Sequence, residues 1–210
     1  MAAVLVTGFE PFGGSSVNPS QLLVQALDLP HALLPVSYAR AATVLREAVR
    51  EHEPDVVVCF GQADGRTGIS IERFAHNLDE ATTTDNDDAP GSGGPIDPDG
   101  PAAFPSLLPV DAIVEALRAE GIPAAPSRDA GGFLCNHVFY VLMQTLAAER
   151  PQAVGGFVHV PLLPEQAVDK DAASMPLDTL VRAARLVVAT AQETRNVRCT
   201  TMPPPRPTTG

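Results

Sequence analysis

Three side chains in this sequence have the chemistry for nucleophilic catalysis, and they lie far apart along it. Cys135 follows two glycines in GGFLCNHVF and falls at the expected mouth of a helix. There the helix dipole stabilises a thiolate, and free backbone N–H groups can face a developing oxyanion. A free cysteine equally suits a small buried apolar position. His159, in GGFVHVPLLP, sits near the end of an expected strand, where the reactive groups of open α/β sheets gather, and is the candidate base for Cys135. His137 is nearer in sequence, but a helix turns about 200° over two residues and aims it away from Cys135. Glu72, in ISIERFAHNL, would orient an imidazole as the third member of a triad if it points inward. At the surface it would pair instead with Arg66 or Arg73.

Short apolar runs alternating with amphipathic stretches must position these groups. The run Val4 to Thr7 ends in Gly8 and discharges into the turn-rich GFEPFGGSSVNPS, after which Asn18-Pro19 starts a helix. Leu33 to Tyr38 is expected to be a second strand, 39–52 a helix, and 55–60 a central parallel strand. The alternation of Ile69, Ile71 and Arg73 predicts an exposed strand over 69–78. Helices are expected over 109–120, 135–149 and 176–194, an edge strand over 122–127 and a last strand within 153–164. Residues 81–105 carry TTT and aspartates at 85, 87, 88, 97 and 99 among clustered Gly and Pro. They look too polar to pack well and are either a functional cover or disordered. The order of elements predicts an α/β fold, a three-layer α/β/α sandwich around a mostly parallel, mixed sheet. One domain is expected over 1–198, with a disordered proline-rich tail over 199–210.

Composition narrows the partners. A chain of 210 residues, 45% hydrophobic, can bury a full core without staples. Twenty-five acidic residues against 14 basic ones give a net charge of -11, and the one lysine is Lys170; nucleic acid and anionic membranes are disfavoured as partners. Cys59, Cys135 and Cys199 are widely spaced without a C-x-x-C, which argues against a disulfide framework or a thiolate zinc site. The five histidines do not cluster at metal spacing, and GFEPFGG lacks both phosphate-binding glycine patterns. Metal ligands gathered by the fold rather than by sequence stay open at this point. With no leader pattern and no apolar run near the roughly 18 residues of a span, a soluble cytoplasmic protein is expected.

Four stretches, VLVTGFEPFGGSSVNPS (4–20), PDVVVCFGQADGRTGISIERFAHNLDEA (54–81), GGFLCNHVFYVLM (131–143) and GGFVHVPLLPEQ (155–166), closely resemble the pyroglutamyl peptidase I, or pyrrolidone-carboxylate peptidase, family. They occur in the family's order and extend the resemblance to about residue 190. The resemblance implies a cytosolic cysteine exopeptidase that removes N-terminal pyroglutamate from peptides without a cofactor, on a single α/β/α sandwich assembled as a homotetramer. It implies Cys135 as nucleophile, His159 as its base and Glu72 as third member, with Phe9 and Phe12 as apolar walls for the lactam ring and Gln62 in the pocket's polar framework. The sequence departs from the family at Thr82, where an arginine is usual, and at Asp64, where glycine is usual. A weakened relative that only binds modified N-termini, or an amidase of different specificity, is the alternative.

Overall fold

The computed structural model describes residues 2–168, 170 and 172–201. In chain order the strands are β1 (Val4–Phe9), β2 (His31–Leu34), β3 (Val56–Gln62), β4 (Ile69–Glu72), β5 (Phe74–His76), β6 (Ala103–Pro105), β7 (Ala124–Ser127) and β8 (Val154–Val160). The helices are α1 (Pro19–Ala26), α2 (Tyr38–His52), α3 (Val110–Ala119), α4 (Leu134–Glu149), α5 (Pro164–Ala167) and α6 (Leu177–Thr201). Six strands form one sheet in the order β2-β1-β3-β8-β4-β7, and β5 pairs with β6 in a separate ribbon. Neighbours in the large sheet are parallel except β4 against β8. The expected mixed, mostly parallel sheet is thus the one observed.

The strands at the sheet's centre, β1, β3 and β8, are buried almost throughout, as continuous apolar runs require when both faces are covered. Val56, Val58, Val158 and Val160 join a core with apolar residues of α1, α3 and α6. Val57, Cys59 and Phe157 join a second core with residues of α2 and α4 on the other face. These are the three layers. Among the described residues no helix is long and apolar enough to cross a membrane.

Three local expectations are corrected. The second strand spans His31–Leu34 rather than 33–38, because Tyr38 already begins α2 after the N-cap Ser37. The predicted exposed strand over 69–78 is two elements: β4 is buried at all four residues, and the chain leaves it at Arg73 to form β5 on the other ribbon. Alternation signals one wet face, but here both faces of β4 are covered. The polar segment 81–105 packs through hydrogen bonds as well as through Ile96 and Phe104, which lie against the second core. The Asp85 carboxylate accepts from the N–H groups of Tyr38, Asp87 and Ala89 at 2.8 to 2.9 Å, and Asn86 donates to the Glu10 side chain and Pro11 carbonyl. At the other end of the chain, α6 runs to Thr201, into the stretch expected as a tail; 202–210 lie outside the described residues.

The loop after β1 is fixed by close packing. Asn18 caps α1 by accepting from the Ser20 N–H at 3.0 Å, and Ser20 Oγ accepts from Phe9 N at 3.0 Å. A Cβ at Gly8 would lie 2.4 Å from the Ser20 carbonyl oxygen, so only glycine lets strand and helix approach this closely. Gly8→Ala should cost about 1–3 kcal/mol as an overpacked contact, seen as a melting temperature lowered by about 2–4 °C per kcal/mol; an unchanged melting temperature would refute the contact.

Candidate active site

The antiparallel step from β8 to β4 builds the site. It pairs Ser70 with His159 and Ile71 with Val158. Alternate strand residues share a face, so Ile69 and Ile71 enter the core containing α3 and α6, while Ser70 and Glu72 lie on the face of His159. Glu72 Oε1 accepts from His159 Nδ1 at 2.8 Å, with side-chain exposures of 0% and 4%. This bond makes Nδ1 the donor and leaves Nε2 for proton exchange. The guanidinium of Arg66 lies 3.6 Å from the same carboxylate oxygen and donates to the Asp129 carbonyl. Glu72 is therefore both inward-facing and paired with Arg66, while Arg73 pairs with Asp111 at the surface.

The thiol reaches the same face through a missing side chain. Gly61 is the β3 partner of His159, and a Cβ there would lie 2.8 Å from Cys135 Sγ and 2.7 Å from the Phe157 ring. The sulfur occupies the space that glycine leaves open. Cys135 stands in the first turn of α4, whose N-cap, Phe133, supplies no side-chain cap; the first-turn N–H groups are the kind that hold an oxyanion. The turn is fastened by Asn136, which is fully buried. Its amide accepts from His76 N and donates to the carbonyls of His76 and Leu78 at 2.8 to 2.9 Å. Sequence reasoning missed this residue, although a polar Asn inside an otherwise apolar helix is itself a signal. His137 is engaged elsewhere: its Nδ1 lies 2.9 Å from the Asp79 carboxylate, and its ring meets that of Tyr38 edge to face.

Burial, and after it the nearby Glu72 carboxylate and Cys59, push the Cys135 thiol up to about 12. A thiol so placed stays protonated at neutral pH unless a base takes its proton at the moment of reaction. Cys59 is fully buried, and burial pushes its thiol up to about 12 as well, the behaviour of a structural cysteine.

Cys135 and His159 open onto one cavity of about 290 Å³. Phe9, Phe12 and Gln62 line it, together with Asn18, Val36, Asp64, Arg66 and Phe133. The aromatic walls brace one another: ring centroids of Phe12 and Phe133 are 6.1 Å apart, and those of Phe133 and Tyr38 are 5.7 Å apart. Gln62 Oε1 accepts from Gln166 Nε2 at 3.2 Å, which leaves the N–H₂ end of Gln62 as a donor. Thr82 is exposed and outside this wall; among the described lining residues Arg66 is the one arginine. No group of three or more His, Cys, Asp or Glu among the described residues could hold a metal ion.

The sequence profile of pyroglutamyl peptidase matches residues 2–194. The chain belongs to the pyroglutamyl peptidase family. It is thus a cysteine peptidase by family. The pyrrolidone-carboxylate peptidase of Bacillus licheniformis is 44% identical over 204 residues, covering 93% of this chain and 95% of the relative. That of Streptomyces coelicolor is 45% identical over 202 residues, covering 92% and 94%. Among solved structures, pyroglutamyl peptidase I of Bacillus amyloliquefaciens superposes with a TM-score of 0.89 at 41% identity, covering 93% of this chain and 98% of that one. A mutant pyrrolidone carboxyl peptidase of Pyrococcus furiosus gives 0.88 at 36% identity, covering 91% and 99%.

Two outcomes follow from this geometry. Gly61→Ala should displace the sulfur and lower kcat by about 10²-fold, the scale of a misplaced reacting group, while circular dichroism shows the fold retained; near-normal kcat would mean the site absorbs the methyl. His159→Ala should leave the Cys135 thiol with its own raised titration. Alkylation of the Cys135 peptide by iodoacetamide, followed by mass spectrometry, should then be slow at neutral pH and climb only in the alkaline range, whereas wild type reacts at neutral pH. Identical profiles would exclude His159 as the proton acceptor.

Proposed function

We propose that this chain hydrolyses the amide bond following an N-terminal pyroglutamyl residue of peptides, with Cys135 as nucleophile, His159 as general base and then acid, and Glu72 orienting the imidazole. The observation that supports this most is the buried 2.8 Å Glu72–His159 bond facing the cavity onto which the uncapped start of α4 presents Cys135. His159 Nε2 takes the thiol proton, and the thiolate attacks the pyroglutamyl carbonyl. N–H groups of the first turn of α4 receive the oxyanion, and the Glu72 carboxylate stabilises the imidazolium. Collapse of the tetrahedral intermediate expels the peptide amine, which takes the proton from Nε2, and leaves a thioester on Cys135. Water then attacks the thioester while passing a proton to Nε2. Release of pyroglutamate returns that proton to the sulfur.

The pocket suits the ring. A pyroglutamyl lactam is flat, neutral and compact, and Phe9, Phe12 and Phe133 supply apolar walls. The Gln62 amide is the donor for the lactam carbonyl. Proline lacks that carbonyl and would leave the donor unpaired, a penalty of about 1–3 kcal/mol. No feature of the site favours a weakened binder or an amidase of other specificity.

The same reading includes one domain over 1–198, a homotetramer, a cytoplasmic location, no cofactor, and no nucleic-acid or membrane partner. The four-motif resemblance supports the assembly and location, and the net charge of -11 supports the exclusion of polyanions; light scattering on the purified protein measures the assembly.

The test is hydrolysis of a pyroglutamyl-coumarin amide between pH 6 and 9 with reductant present. Wild type should turn over, Cys135→Ala should lose nearly all activity with its fold intact, and Glu72→Gln should lose about 10²- to 10⁴-fold, the span of general acid–base assistance. Activity undiminished in Cys135→Ala would sink the assignment.

A further inference from the structure

Beside the catalytic cavity lies a larger groove of about 710 Å³, and Phe12, Gln62 and Asp64 line both. The groove continues along the exposed residues 13–16 and half-buried Val17, and reaches Glu165 and Lys170 in the segment that follows β8. It therefore opens at the carboxyl ends of β3 and β8, the strands that carry Gly61 and His159. In the proposed hydrolysis, on which this inference rests, His159 protonates the departing amine. The peptide beyond pyroglutamate must begin next to that imidazole and leave by the cavity mouth, because a cavity of about 290 Å³ is at the small end for a ligand site and suits the ring alone.

We propose that this groove binds the first residues after pyroglutamate and favours a cationic side chain directly following the scissile bond. Its described walls carry two carboxylates, Asp64 and Glu165, against one ammonium, Lys170. Asp64 stands where cavity and groove meet. It pairs with Lys170 at 3.4 Å, and both side chains are 54% exposed. A pair this open to water is weakly held, so an incoming lysine or arginine can take the place of Lys170 at Asp64. An incoming carboxylate would meet like charge from both acids and would have to take Lys170 from Asp64.

A second opening, of about 400 Å³, contains Arg66 and Arg118 and would reward acidic residues instead. It shares only Arg66 with the catalytic cavity. That guanidinium is already committed to Glu72 and the Asp129 carbonyl, and Arg118 Nε donates to the Ala124 carbonyl at 2.8 Å. The acidic groove is the better continuation.

The experiment compares kcat/KM for three tripeptide amides, pyroglutamyl-Lys-Ala-amide, pyroglutamyl-Ala-Ala-amide and pyroglutamyl-Glu-Ala-amide, in wild type and Asp64→Asn. The amide ends remove any carboxylate that Lys170 could capture. At low ionic strength the lysyl peptide should exceed the glutamyl one by about five-fold, the scale of one exposed charge contact, with the alanyl peptide between them. The ratio should fall to about two-fold or less in Asp64→Asn and at high salt, where exposed charges are screened. Equal rates for the lysyl and glutamyl peptides, a glutamyl preference, or a lysyl preference that survives Asp64→Asn would each overturn the groove assignment while the alanyl peptide is still cleaved. Failure to cleave even the alanyl peptide would remove the parent reading and this one with it.

Discussion

A carboxylate with no solvent exposure is costly unless a partner compensates its charge, by several kcal/mol even after relaxation, and Glu72 is such a group. Its compensation comes from a reversal of chain direction. β3 runs parallel to β8, and only residues 63–68 separate the end of β3 from the start of β4. A parallel return would need a crossover of about a dozen residues or more. This loop is too short for one, so it passes over the end of β8, and β4 comes back antiparallel on the far side. That reversal sets Glu72 against His159. The same loop contributes Ala63, Asp64 and Arg66 to the cavity wall, and Arg66 shares the Glu72 charge. One short connection thus sets strand direction, charge compensation and part of the substrate wall.

The remaining parts of the site depend on how closely α4 approaches the sheet. Gly61 leaves room for the sulfur, and Asn136 holds the first turn of α4 to the chain around β5. Asp79, on the same segment, holds His137 of that turn. The helix start is therefore fastened to residues 76–79 by part-buried hydrogen bonds at two successive side chains, so the thiol is positioned in advance. Such positioning converts binding into orientation of the reacting atoms.

The legible part of this architecture was the part written in apolar periodicity. The runs at 4–7 and 55–60 are buried strands because nothing but a sheet covered on both faces would take them. The three candidate groups were legible as chemistry, but Glu72 could not be assigned to the interior from alternation alone, since its burial is a property of the strand beside it. Asn136 was missed for the same reason, since its partners lie 58 to 60 residues away; Arg66 was weighed only as a surface partner of Glu72, whereas it meets that carboxylate at the cavity wall. The segment 81–105 misled in the opposite sense. Its aspartates suggest solvation, yet Asp85 accepts from two local backbone N–H groups and from that of Tyr38 at the start of α2, a use of polarity that composition does not distinguish from disorder.

The electrostatics around Glu72 bear on the proposed nucleophile. Glu72 lies near enough to disfavour a thiolate at Cys135, and it accepts a hydrogen bond from the imidazole of His159. In the hydrolysis proposed above the thiol proton passes to that imidazole, so the thiolate forms together with a cation rather than by loss of a proton to water. In that proposal the buried carboxylate orients the base, and it also disfavours the thiolate until the base has taken its proton.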